Sequence, residues 1–145
     1  MTRIGNLLIA APFLICSAGP PRVEIRDLTP AGAFEIQATG SPVSLATQAR
    51  MEKQTAEGWV TASTNLILGE RCTTVAPPNC ISVGADVPLR PVPWTGYFCS
   101  GQCNDQCKKD FYLGPGIFRL TVFSCDRRES FHGPPFRLPA KPEKR

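Results

Sequence analysis

The sequence predicts an all-β fold, an antiparallel sandwich of about seven short strands. Three observations support this prediction: segments in which apolar and polar residues alternate, turn residues between them, and few windows long enough for a helix. The chain of 145 residues contains 15 prolines and 12 glycines, and its proline content is about twice the usual ~5%. Short alternating strands separated by such turns are typical of two packed antiparallel sheets.

The first half of the chain contains several of these strand predictions. Residues 23–28 (VEIRDL) alternate apolar and polar side chains, and residues 33–38 (AFEIQA) follow a Pro-Ala-Gly turn. Residues 43–57 have a composition that suits a helix, but their apolar side chains recur at every second position, so we predict one strand. Residues 58–62 return after a turn at residues 55–57 and complete a hairpin. We interpret Trp59 as a core or half-buried residue of this hairpin, with ligand stacking as the alternative.

The second half is less regular. The remaining strand predictions are residues 66–68, 81–83, 117–125 and 136–138. Residues 87–94 (VPLRPVPW) contain prolines that cannot donate backbone hydrogen bonds, so they predict an edge strand or an extended connection. Residues 95–113 are polar and cysteine-rich without an apolar period, so we expect disulfide bonds to order this loop. Residues 139–145 predict a flexible tail.

Residues 1–18 predict a signal peptide, which leaves one domain at residues 19–138. Arg3 precedes an apolar stretch at residues 7–15, and small residues follow at positions 17–19, as in a secretory signal. The apolar stretch is shorter than the roughly 20 residues that cross a bilayer. Two processing routes stay open: cleavage after Ala18 with release as a secreted or periplasmic protein, or lipidation of Cys16 and anchoring to the cell envelope. The bulky Ile15 before Cys16 favours release.

The six cysteines after the signal predict three disulfide bonds, because an exported chain meets an oxidising environment. They are Cys72, Cys80, Cys99, Cys103, Cys107 and Cys125. We expect Cys72 and Cys80 to close the short loop between them, while the pairing of the other four stays open. The alternative is a metal site in which His132 joins the cysteines spaced C-x3-C-x3-C, but zinc sites favour a tighter C-x2-C knuckle. We therefore predict neither a metal nor a cofactor.

Three stretches carry a resemblance to known domains: the hairpin MEKQTAEGWV, the proline-rich run that ends in Trp94-Thr95-Gly96, and GPGIFRLTVFSC. With them, residues 23–138 resemble the small immunoglobulin-like sandwich domains that bacteria export as secreted or lipid-anchored proteins. The resemblance implies that the third stretch forms the penultimate strand of such a sandwich. The spacing of Cys, Trp and Cys that marks antibody-type domains is not present, and the fold hosts many unrelated roles.

The sequence disfavours both catalysis and nucleic-acid binding. The single histidine, His132, lies in a predicted loop with Ser130 and Glu129, and residues so close in sequence seldom form a catalytic triad. No nucleophile elbow, phosphate loop or zinc-protease motif occurs. The formal net charge is +4 and falls to +3 without residues 1–18, whose only charged side chain is Arg3. The basic residues are scattered in sequence, whereas nucleic-acid binding favours a basic stripe with interleaved aromatic residues.

The sequence therefore predicts an exported, non-enzymatic binding or structural accessory domain of the cell envelope or the extracellular space. Its partner would be an unknown protein or envelope component. The candidate binding residues are Tyr97, Phe98, Phe111 and Tyr112, at the two ends of the cysteine-rich loop, because loops held on a rigid scaffold often bind. The alternative is that these aromatic residues only cap the sandwich. A second candidate function is proteinase inhibition through the Cys72–Cys80 loop (CTTVAPPNC).

Overall fold

The computed structural model describes residues 19–69, 78–98 and 111–141. The predicted signal at residues 1–18 with Cys16, as well as Cys72, Cys99, Cys103, Cys107 and residues 142–145, lies outside these ranges. Within them the chain forms strands and no helix, which confirms the predicted all-β class. The strands are β1 (Arg22–Leu28), β2 (Ala33–Thr39), β3 (Val43–Ala46), β4 (Gln48–Thr55), β5 (Gly58–Ile67), β6 (Cys80–Val83), β7 (Gly116–Phe123), β8 (Ser130–His132) and β9 (Phe136–Leu138).

The strands form three antiparallel groups. β1 pairs with β2, β3 pairs with β6, and the largest sheet has the order β5-β4-β7-β8, with β9 also paired to β7. Ile36 of β2 and Leu89 exchange two backbone hydrogen bonds of 2.8 Å each, so the proline-rich run lies beside β2 at this point. This agrees with the predicted edge strand or extended connection, although the sequence did not indicate which strand it would adjoin. An isolated antiparallel bridge between Leu45 and Ser124 links β3 to the chain that leaves β7.

One hydrophobic core joins these sheets. Ile36, Leu45, Met51 and Phe118 come from different strands, and none of them exposes its side chain to solvent. Each such side chain contributes on the order of 1.5–3 kcal/mol when it leaves water. The period-two alternation of these strands therefore points their apolar residues to one common interior, which holds the sheets together.

Aromatic contacts extend the core between β2, the proline-rich run and the large sheet. Phe34 of β2 meets Phe136 of β9 edge to face, with ring centroids 5.3 Å apart. Trp94 meets Phe118 of β7 in the same manner at 5.1 Å. Edge-to-face pairs of this kind add about 0.5–1.5 kcal/mol beyond their buried area. They fix the end of the proline-rich run against the sheet.

The single strand predicted over residues 43–57 is wrong, because the chain changes sheet at Thr47. The Thr47 amide donates to the Asn79 carbonyl (3.0 Å) and its hydroxyl donates to the Pro78 carbonyl (2.6 Å). The Leu68 amide in turn donates to the Thr47 carbonyl at 2.6 Å. Two separate segments thus take up the polar groups of this one residue, and the strand divides into β3 and β4.

Two further differences concern the C-terminal half and the end of β5. The segment around His132, predicted as a loop, forms the short strand β8. Residues 66–68, predicted as a separate strand, continue β5 through Ile67. Strands as short as β8 have no period of their own, and only their neighbour in the sheet defines them.

The expected Cys72–Cys80 bond is wrong, because Cys80 forms a disulfide with Cys125. Their Cα atoms are 5.5 Å apart although 45 positions separate them in sequence. Both cysteines adjoin β3: Cys80 pairs with Ala46, and the Cys125 amide donates to the Ser44 carbonyl at 2.9 Å. The pairing therefore follows from the approach of β6 and the end of β7 to the same strand, which short sequence spacing does not show.

Candidate functional site

The four aromatic residues of the predicted binding loop lie together at the base of that loop. Tyr97 and Tyr112 form an antiparallel bridge. The Phe98 amide donates to the Phe111 carbonyl at 2.9 Å, and the Leu113 amide donates to the Gly96 carbonyl at 2.8 Å. We call Tyr97, Phe98, Phe111 and Tyr112 the aromatic neck. Residues 99–110, between its two sides, are outside the described ranges.

The rings of the neck pair across its two short strands. The Tyr97 and Tyr112 ring centroids are 5.2 Å apart, and those of Phe98 and Phe111 are 6.4 Å apart with the rings nearly perpendicular. Successive side chains of a strand point to opposite faces, so the tyrosine pair and the phenylalanine pair lie on different faces. Phe111 is 63% exposed whereas Phe98 is half-buried, so Phe111 is the apolar side chain that the neck presents to solvent.

The tyrosine pair is fixed to the rest of the domain. The buried Trp94 donates from its indole nitrogen to the Tyr97 carbonyl at 2.8 Å. The Tyr112 hydroxyl donates to the Pro139 carbonyl at 2.7 Å. Burial, and secondarily the neighbouring Tyr97, raises the pKa of Tyr112 above its usual value. The hydroxyl therefore stays protonated and keeps this hydrogen bond throughout the physiological pH range.

Close packing around Tyr112 requires glycine at position 96. Gly96 has φ of +89°, and a Cβ atom there would lie 2.6 Å from the Tyr112 ring and 2.8 Å from Leu138. L-residues other than glycine rarely adopt this conformation. The neck is therefore a rigid support, built by one glycine, one buried tryptophan and the tyrosine pair.

A separate, polar site that the sequence did not predict lies on the outer face of the large sheet around Glu52. This carboxylate is only 4% exposed. Its Oε1 accepts from Arg50 (Nε at 2.9 Å and a terminal nitrogen at 2.7 Å), and its Oε2 accepts from Nε of Arg119 at 2.7 Å. The register explains the geometry, because Glu52 lies directly opposite Arg119 and Arg50 lies opposite Thr121.

Electrostatics keep Glu52 ionised. Burial alone would raise the pKa of this carboxyl, but hydrogen bonds from Arg119 and Thr121 and the charges of Arg119 and Arg50 outweigh it. The net pKa therefore lies below its ordinary value. A buried carboxylate that two guanidinium groups hold in this way is a fixed structural charge.

His132 and Ser130 extend this site onto β8. Because Thr121 donates its hydroxyl hydrogen to Glu52, its oxygen accepts from Nδ1 of His132, 3.0 Å away. This arrangement leaves Nε2 as an acceptor, 3.5 Å from the Ser130 hydroxyl. Burial first, and then the charge of Arg119, lowers the pKa of His132, so the ring is neutral at neutral pH. A neutral imidazole beside a hydroxyl can orient or accept a proton, but here it lies on an open sheet face.

Aromatic rings hold the arginines of this face in place. The Arg119 guanidinium lies 4.3 Å from the centroid of Trp59. Arg50 lies 5.0 Å and Arg127 5.8 Å from the centroid of Phe123. Trp59 is thus half-buried on the outer face beneath an arginine, and it is not part of the core. The sequence signal for this site is the alternation of Arg50 with Glu52 and of Arg119 with Thr121, but only the strand register shows that the two pairs meet.

No helix in the described ranges could span a membrane. Among the same residues, no group of three or more histidine, cysteine and acidic side chains is placed to hold a metal ion. The three cysteines of the alternative metal site lie outside those ranges. Comparison of the chain with protein-family models, curated proteins and solved structures finds no match.

Proposed function

We propose that this chain is an exported, non-enzymatic binding domain that contacts its partner through the aromatic neck and the loop it supports. The observation that carries the proposal is the exposed Phe111 on a base anchored by the buried Trp94. Aromatic residues, phenylalanine among them, are enriched at protein interfaces relative to the rest of the surface. A residue that merely capped the core would bury its ring, as Trp94 does.

Export is part of this proposal. The order of charged, apolar and small residues at positions 1–18 supports it, and so does the Cys80–Cys125 disulfide. The test is the intact mass of the protein from its own host. A mass that fits residues 19–145 supports release, an acylated Cys16 makes it an envelope lipoprotein, and an unprocessed chain contradicts export.

We extend the proposal to an immunoglobulin-like sandwich. Support comes from the arrangement in which β1 and β2 pack through Phe34 onto β9, at the edge of the large sheet. The Pro-Gly turn before β7 resembles the turn before a late strand of such domains, but the expectation that this strand is penultimate is wrong, because β8 and β9 both follow it. An experimental structure would test this assignment. Sheets that do not pack face to face as two layers would contradict it.

The non-enzymatic part of the proposal is based on the environment of His132. A triad needs a carboxylate that accepts from the imidazole, but Nδ1 of His132 contacts the Thr121 hydroxyl at 3.0 Å and lies 3.8 Å from the nearer oxygen of Glu52. Ser130 lies exposed on a three-residue strand. Labelling of Ser130 by a fluorophosphonate at a rate above that of an ordinary surface serine would contradict this part of the proposal.

Proteinase inhibition loses its basis, because the loop before Cys80 is not closed by a Cys72–Cys80 bond. No observation on the described residues favours it. We therefore retain binding through the neck as the one proposed function.

The binding test compares two exposed apolar side chains. Phe111→Ala removes the neck anchor, whereas Val87→Ala alters a residue that is 77% exposed elsewhere on the surface. Surface plasmon resonance against fractionated envelope and extracellular components of the host should identify a ligand. Phe111→Ala should weaken its affinity by roughly tenfold or more, as loss of an interface hot spot does. Equal affinities of wild type, Phe111→Ala and Val87→Ala would contradict the proposal.

A further inference from the structure

The outer face of the large sheet carries a continuous row of arginines and aromatic rings. Arg119 lies over Trp59, while Arg50 and Arg127 lie over Phe123. We call these three arginines and two aromatic residues the arginine stripe. It runs across β5, β4 and β7 to the turn before β8, so residues that are scattered in sequence form one surface.

Positive charge dominates this face. Among the described residues whose side chains point outward from β4, β5, β7, β8 and β9, Glu52 is the one carboxylate, whereas Arg50, Arg119 and Arg137 are cationic. The turn between β7 and β8 adds Arg127. When the whole turn is counted, five arginines (Arg50, Arg119, Arg127, Arg128 and Arg137) stand against three carboxylates (Glu52, Asp126 and Glu129). Without Arg128, four arginines still stand against three carboxylates.

The guanidinium groups are oriented before any ligand arrives. Nε of Arg119 is bound to Glu52, and its plane lies over Trp59. Within the described part of the chain, neither terminal nitrogen of Arg119 has a hydrogen-bond acceptor, and 20% of the side chain is exposed. A guanidinium fixed in this way loses little entropy when it binds a carboxylate, sulfate or phosphate through two hydrogen bonds.

The aromatic rings indicate which polyanion fits. Single-stranded nucleic acids bind by stacking bases on exposed ring faces. Here guanidinium groups lie over the rings of Trp59 and Phe123, so these ring faces are not free to stack on bases. The rings orient the arginines, and the arginines contact the ligand. The Cys80–Cys125 disulfide is typical of an oxidising compartment outside the cytoplasm, where polysaccharides rather than nucleic acids are the common polyanions.

We propose that the arginine stripe binds an acidic polysaccharide, one that carries sulfate or carboxylate groups along its chain. The arginines contact these groups, and the hydroxyl of Ser130 and Nε2 of His132 provide neighbouring polar groups for sugar hydroxyls. This site is separate from the aromatic neck, and it does not depend on the neck's partner.

The test uses heparin and polygalacturonate as probes, with single-stranded DNA and anionic phospholipid vesicles for comparison. The variant is Arg127→Gln, and the matched control is Arg128→Gln in the same turn. Both remove one positive charge, but Arg128 is 86% exposed and pairs with Asp126, whereas Arg127 lies on Phe123. Neither arginine takes part in the Glu52 network, so both variants should fold, which thermal melting checks.

We expect wild type and Arg128→Gln to bind at least one polysaccharide, and more tightly than DNA or vesicles. Arg127→Gln should weaken that affinity roughly threefold and lower the slope of log affinity against log salt by about one, as loss of one ionic contact does. Phe111→Ala should bind as wild type does. Three results would overturn the proposal. The first is an equal loss of affinity in Arg127→Gln and Arg128→Gln, and the second is binding of DNA or vesicles as tight as that of the polysaccharides. The third is the absence of binding to either polysaccharide.

Discussion

Replacement of Glu52 by glutamine should destabilise the domain by about 2 kcal/mol at neutral pH. The carboxylate accepts from Arg50 on one oxygen and from Arg119 on the other. Glutamine keeps one acceptor oxygen and places an amide donor against the second guanidinium, so the charge-assisted hydrogen bonds of one arginine are lost. Such bonds contribute about 1.5–3 kcal/mol. Because 37% of Arg50 and 20% of Arg119 is exposed, water offsets part of the loss, and the lower half of that range applies.

The same network gives this difference a pH dependence with a definite sign. The pKa of Glu52 in the folded protein lies below its ordinary value of 4.5. At pH values between the folded and the unfolded pKa of Glu52, the unfolded chain binds more protons than the folded protein. The contribution of Glu52 to the free energy of unfolding is therefore complete above about pH 4.5, and it is lost as the pH falls through the lower pKa of the folded protein. The stability difference between wild type and Glu52→Gln should therefore narrow in acid.

The assay is urea unfolding followed by tryptophan fluorescence at neutral pH and at several acidic values. Glu24→Gln is the matched control, because Glu24 is 50% exposed and its partner Arg26 is 53% exposed. That variant should keep the wild-type denaturation midpoint. Two results would refute the argument that Glu52 is a fixed structural charge. One is a stability difference between wild type and Glu52→Gln below about 0.5 kcal/mol at neutral pH, which is typical of exposed pairs. The other is a difference that stays constant in acid.

Two further predictions concern the neck and the disulfide. Gly96→Ala should lower the free energy of unfolding more than Gly58→Ala does. Both glycines have positive φ, but of the two only Gly96 has neighbours within 4 Å of the position that a Cβ atom would take. We expect about 1–3 kcal/mol of backbone strain in each variant and an added packing loss at Gly96, both measured by urea unfolding. The double variant Cys80→Ala/Cys125→Ala should lose about 4 kcal/mol of stability, the chain-entropy value for a bond that spans 45 positions. Differential scanning calorimetry of this variant and of the single variant Cys80→Ala shows whether the bond itself is responsible. Equal costs of the two glycine variants, or an unchanged melting temperature without the disulfide, would contradict these arguments.

The strands with a strong period were predictable from the sequence. In β1, β2 and β7 the apolar residues alternate because one face packs on the core, and local sequence records that burial directly. The switch at Thr47 was not predictable, since the period continues through it while its hydrogen-bond partners come from Pro78, Asn79 and Leu68. The same reasoning applies to β8, which is a strand only because it pairs with β7.

The two candidate sites differ in predictability for a physical reason. The neck joins residues at the two ends of one loop, so a local count of aromatic residues was enough to suggest Tyr97 and Tyr112. The arginine stripe depends on register: Glu52 lies opposite Arg119 only in the antiparallel pairing of β4 with β7. A register shift of one residue would turn Glu52 toward the core, because successive side chains of a strand point to opposite faces of the sheet. The Glu52→Gln measurement thus tests this register as well, because the contact of Glu52 with Arg119 depends on the pairing of β4 with β7.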